Sequence, residues 1–116
     1  MQENFDNRDT IERNLDYFIT NHKDIYEAYE CFGKLVHEKG GPLDEKTRWL
    51  IKIALSTECQ NEYSLTTHIL KALKGGCSRE EIEHAMILVA PTSGFPKTMK
   101  GMLVLRKLLD DSTDCK

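Results

Sequence analysis

The chain contains no apolar run approaching the roughly 20 residues that a bilayer-crossing helix needs, no C-x-x-C pair among its four cysteines and no block of consecutive lysines and arginines. Each absence removes a class of function. The first argues against a membrane span. The second leaves neither a zinc ribbon nor a thioredoxin-like redox motif to be drawn from Cys31, Cys59, Cys77 and Cys115. The third, with 16 basic and 19 acidic residues and a net charge of −3, gives no surface that would track phosphates, so nucleic acid is not an expected partner. The opening "MQENFDNRDT" has neither a basic n-region nor an apolar h-region. The expectation is therefore a soluble, cytoplasmic protein with reduced thiols.

Two further motifs are missing. No glycine-rich phosphate loop follows a strand pattern, and no G-x-S-x-G elbow occurs. Although His22, His37, His68 and His84 are present, no two of them share a helix face at i, i+3 or i+4, so no metal site is expected. No β-branched alternation marks a half-buried strand either.

What is present is helical periodicity along 116 residues that are 40% hydrophobic, a length suited to one domain. The spacing predicts a first helix capped at Asp9 or Thr10, running over about 9–21, with Ile11, Leu15, Phe18 and Ile19 in its stripe. A second, from about Asp24, carries Ile25, Ala28, Phe32, Leu35 and Val36 and stops at "KGGP". The third has Asp44 as N-cap and Leu50, Ile51, Ala54 and Leu55 as its inward face, with Trp49 and Ile53 beside it. The fourth begins near Glu62 and carries Leu65, Ile69, Ala72 and Leu73 until Gly75 and Gly76 end it.

Ser78 and Glu81 form an S-x-x-E capping box for a fifth helix with Ile82, Ala85, Met86 and Val89 inward. "APTSGFP" is a break, and Pro96 starts a last helix over Met99, Met102, Leu103, Arg106 and Leu109, with Val104, Leu105 and Leu108 as additional apolar positions. The polar tail 110–116 is expected to fray. The reading is thus all-α: a single domain over 1–116, built as a bundle of about six helices with its core at about 25–110. It carries more apolar surface than a monomer of this size readily hides, so self-association is expected.

Function concentrates in "TECQNEYSLTTH", residues 57–68. Asn61, Ser64 and His68 share one face of the fourth helix at its apolar edge. A histidine there suits proton transfer, although the residues by themselves favour a packed, hydrogen-bonded structural role. Glu58 and Glu62 are read as favourable charges near the start of that helix. Cys59, assigned to the same helix terminus, is the cysteine expected to be most reactive. Cys31 is read as a core filler and Cys77 as a loop residue.

The order "LDEKTRWLIKIAL", "NEYSLTTHILKALKGGCSREEIEHA", "GFP" resembles the carboxymuconolactone decarboxylase family and its alkylhydroperoxidase D-like relatives over about residues 25–110. The resemblance implies an all-helical fold assembled as a homotrimer or homohexamer, with no cofactor. In the peroxidase-like branch a glutamate, two cysteines and a histidine perform thiol redox chemistry. With His68 as anchor, the thiol positions fall on Asn61 and Ser64 and the glutamate position on Trp49. The disulfide chemistry is thereby removed.

The decarboxylase branch, acting on a lactone acid, is the closer match. It implies His68 as general acid/base, Arg48 as the cation for substrate carboxylates, and Ser64, Asn61 and Trp49 lining the substrate pocket. The leading reading is cofactor-independent decarboxylation or isomerisation of a small carboxylate or lactone. One alternative is a thiol peroxidase using Cys59, with a peroxide as substrate. The other is an oligomeric binding protein that kept the fold and lost the chemistry.

Overall fold

The computed structural model describes residues 7–110, with side chains from Thr10 onward. Every regular element among the described residues is helical: α1 (Asn7–Asn21), α2 (Lys23–Lys39), α3 (Glu45–Glu58), α4 (Glu62–Lys74), α5 (Arg79–Ile87), α6 (Val89–Ser93) and α7 (Phe95–Leu109). Six have nine residues or more, and α6 is a five-residue helix that begins at Val89 and runs into the expected "APTSGFP" break. No helix among the described residues is long and apolar enough to cross a membrane. The expected cap at Asp9 or Thr10 is displaced, because α1 already begins at Asn7. Cys115 and the expected fraying of the tail fall outside the described residues.

The residues group into two compact units, one ending at Leu43 and the other beginning at Asp44. The first unit is α1 with α2. Its helices meet at His22, whose ring lies 5.0 Å from that of Phe18. The α2 face expected to be inward is uncovered: no α2 residue is buried, and Phe32 is 65% exposed. Cys31, on the same helix, is exposed as well, so it fills no core.

The second unit holds the core, with Ile53, Ile69, Ile82, Met86 and Leu105 fully enclosed. Local signals at its helix starts behave as written. The Thr47 N–H donates to Asp44 Oδ1 at 2.9 Å, and hydrogen bonding from the Thr47 side chain, then from this N–H, holds that carboxyl below the usual aspartate range. Ser78 and Glu81 form the reciprocal capping box, at 3.0 and 2.8 Å. Of the two glycines ending α4, only Gly76 uses the left-handed region, at φ 102°. Cys77 follows it in the loop but is buried, and burial pushes its thiol pKa up.

Two inward faces differ from the pattern. On α3 the buried residues are Ile53, Ser56 and Thr57, while Ile51 is 43% and Leu55 62% exposed. On α7 they are Thr98, Gly101, Val104, Leu105 and Leu108, whereas Met99 and Leu103 face outward. Both differences have one cause, which is that hydroxyls satisfied inside the helix pack become tolerable in a core. Thr57 Oγ1 donates to the Ile53 carbonyl and Thr98 Oγ1 to the Met86 carbonyl, each at 2.8 Å. Gly101 completes the fit, since a Cβ there would lie 3.0 Å from Thr57 Cγ2. Its bare backbone lets α7 approach α3.

Candidate functional site

The candidate site lies between α3 and α4, the most extensively paired helices of the second unit. Helical spacing sets its two facing rows. Trp49, Lys52 and Ser56 stand at i, i+3 and i+7 on α3, and Ser64, His68 and Lys71 at i, i+4 and i+7 on α4. The turn joining the helices is short and tightly bonded. Gln60 takes a left-handed conformation at φ 58°, and the Asn61 N–H donates to the Ser56 carbonyl at 3.0 Å.

The central contact joins Ser56 Oγ to His68 Nδ1 at 2.9 Å. Ser56 is 4% exposed and His68 half-buried, so the bond is part-buried and fixes both ring orientation and the pairing of one ring nitrogen. The Trp49 indole lies beside it, with ring centroids 6.1 Å apart and planes tilted by 47°. Trp49 is held on its other edge. Its Nε1–H donates to Glu45 Oε2 at 3.3 Å, and its ring packs so closely on the Gly75 backbone that a Cβ there would come within 3.2 Å.

The surroundings are cationic. The Lys52 ammonium sits 4.9 Å and the Lys71 ammonium 6.0 Å from the Trp49 ring centroid. Partial burial, then repulsion from Lys71 and Arg48, lowers the Lys52 pKa below the usual lysine range. Arg48 is therefore part of the same field. The site sets an imidazole beside positive charge, a combination suited to a carboxylate-bearing ligand.

The sequence-predicted residues divide. His68, Trp49 and Arg48 belong to this neighbourhood. Asn61 is the N-cap of α4, where its Oδ1 accepts from the Ser64 N–H at 3.0 Å. Asn61→Ala is expected to cost about 1 kcal/mol of stability, while Asn61→Asp retains the cap. Urea denaturation of the two variants checks this, and equal stability would reject the capping role.

Cys59 is not at the start of α4. It is the C-cap of α3, with Sγ 3.8 Å from the Ser56 carbonyl, so the helix N-terminus invoked for its reactivity is missing. Glu58 likewise ends α3 rather than opening α4, and pairs with Lys97 at 3.3 Å. The residues that sequence reasoning missed are Ser56, Lys52 and Lys71. The available signal was the seven-residue step from Trp49 to Ser56, which returns to the same helix face.

Among the described residues no group of three His, Cys, Asp or Glu side chains is close enough to hold a metal ion. Fold and site together define an all-helical protein in which a histidine, bonded to a buried serine, lies beside positively charged side chains.

Residues 23–107 match the carboxymuconolactone decarboxylase family model, and the chain belongs to that family. It is 36% identical over 70 residues to an uncharacterised protein of Methanocaldococcus jannaschii, a match spanning 60% of this chain and 67% of that protein. The fold is similar to the crystal structure of a carboxymuconolactone decarboxylase family protein from Legionella pneumophila. The TM-score is 0.75 and the identity 22%, with 86% of this chain and 88% of the other covered. At that identity the likeness concerns the fold.

Proposed function

We propose that the protein is a carboxymuconolactone decarboxylase-like enzyme performing cofactor-independent acid/base chemistry, decarboxylation or isomerisation, on a small carboxylate or lactone. The observation that carries this reading is the part-buried 2.9 Å bond between Ser56 and His68, set beside positive charge. In a decarboxylation the C–C bond to the carboxylate breaks and its electron pair delocalises toward the lactone carbonyl. The imidazolium of His68 then delivers a proton to carbon, and the neutral ring recovers one from solvent or the next acid. Ser56 holds the ring in place while it changes charge, and the cations offset the substrate's negative charge.

The test is a panel of lactone acids, with γ-carboxymuconolactone first, followed by ultraviolet absorbance without added metal or cofactor. Turnover of one of them is the expected result. Absence of turnover across the panel would reject the enzymatic reading and leave the binding-protein alternative. The peroxide reading gains no support from the position of Cys59 at the end of α3.

Self-association forms part of the same proposal. Ile25, Tyr29, Phe32, Leu35 and Val36 of α2, and Ile51 and Leu55 of α3, are all exposed in the single chain, and soluble monomers seldom leave so many large apolar side chains in water. Light scattering after size exclusion is expected to give a trimer or hexamer. A monomer at micromolar concentration would overturn it.

A further inference from the structure

The two glycines that end α4 are glycine for different reasons. Gly76 is required by its backbone, at φ 102°, and a Cβ there would meet nothing within 4 Å. Gly75 is the opposite case. Its φ of −83° and ψ of 5° are open to other residues, but a Cβ would lie 3.1 Å from Glu45 Oε2 and 3.2 Å from Trp49 Cδ1 and Nε1.

We propose that Gly75 is a positioning residue of the His68 site: its missing side chain leaves the seat that the Trp49 indole occupies, and the depth of that seat sets how the indole meets the His68 ring. The inference rests on the reading of His68 as the proton-transfer residue. It deepens that reading by tracing the placement of the imidazole to a backbone position about 10 Å further along the α4 axis.

Three observations carry it. Gly75 is a fixed wall, because as C-cap of α4 its N–H donates to the Lys71 carbonyl at 2.9 Å. The indole edge that meets the wall is itself engaged, with Nε1–H donating to Glu45 Oε2 at 3.3 Å. A carboxylate at the end of a flexible side chain can swing aside, whereas a fused ring moves as a whole. The third observation is what such a movement would reach: the Lys52 and Lys71 ammonium groups over the ring, at 4.9 and 6.0 Å from its centroid, and the His68 ring at 6.1 Å. The imidazole has one support in Ser56 and a second in the indole, and Gly75 acts on the second.

Replacing each glycine by alanine should therefore have opposite effects. Gly75→Ala is expected to leave the circular dichroism spectrum and urea midpoint close to wild type, since alanine accepts this backbone and lowers the freedom of the unfolded chain. It should shift the emission maximum of Trp49, the single tryptophan, and displace the His68 Hε1 proton resonance, which is assigned by its absence in His68→Gln. Gly76→Ala is expected to lower the urea midpoint and leave both signals in place. In a Trp49→Leu background, where a flexible side chain can turn away from the wall, Gly75→Ala should displace the His68 resonance no further. For a lactone acid that is turned over, Gly75→Ala should lower kcat at least about threefold, as small misplacements of a reacting group do.

The seat is overturned if Gly75→Ala leaves Trp49 emission and the His68 resonance unmoved, if the displacement is undiminished with Leu at position 49, or if Gly76→Ala moves His68 equally. A Gly75→Ala chain that folds only together with Trp49→Leu would support the seat, and one that folds with neither residue at 49 would overturn it. Its failure is separable from that of the enzymatic reading. Displaced Trp49 and His68 signals with no lactone acid consumed would reject the enzyme and keep the seat. Turnover with kcat and the His68 resonance unchanged by Gly75→Ala would do the reverse.

Discussion

Ile53→Ala is expected to remove about 2–5 kcal/mol of stability, a large share of the roughly 5–15 kcal/mol typical of a folded domain. The side chain is fully enclosed on α3, where it packs in the core with Leu65, Ile69 and Leu105. Truncation removes apolar contacts and leaves a cavity that four surrounding helices have little freedom to collapse. The informative control is Leu55→Ala on the same helix. Leu55 is 62% exposed, so the change in the chain's own stability should stay within about 0.5 kcal/mol. Urea denaturation at low protein concentration measures both, and equal losses would mean that α3 is rotated relative to the face described.

His68→Gln is expected to lower kcat by about two to four orders of magnitude, the usual worth of a positioned general acid/base. Glutamine retains hydrogen-bonding capacity toward Ser56 Oγ but does not exchange a proton near neutral pH. Folding should therefore survive, with the circular dichroism spectrum and urea midpoint little changed, while turnover does not. That combination separates loss of chemistry from loss of structure. Undiminished turnover in the variant would assign the proton transfer elsewhere and dismantle the role given to the imidazole.

The legible parts of the sequence were those governed by local chemistry. Asp44, Ser78 and Glu81 act as caps because the donors they satisfy lie within three residues of them, and such signals survive whatever the tertiary fold does. The order of helices and the family resemblance were legible for a similar reason: spacing along the chain is preserved in a linear string. Hydropathy failed where polar atoms find partners inside the core. Ser56, Thr57 and Thr98 occupy inward positions that a pattern based on apolarity assigns to Leu55 and Leu103, and the hydrogen bonds that permit this are invisible until α3, α4, α5 and α7 are assembled. That same misreading of α3 hid Ser56 and Lys52 from the list of site residues. Lys71 was hidden differently, since its partner ring belongs to another helix and a lone lysine in a last turn reads as a favourable end charge.

Ser56 carries two attachments of different kinds. Its hydroxyl meets the His68 ring, and its carbonyl receives the Asn61 N–H, so one residue links the imidazole to the left-handed turn at Gln60. The turn and the ring consequently behave as one lever. A backbone change around Gln60 that reoriented the end of α3 would reach the imidazole through a single residue, and the angle of the ring toward a ligand is set as much by the geometry of this connection as by the residues that touch it.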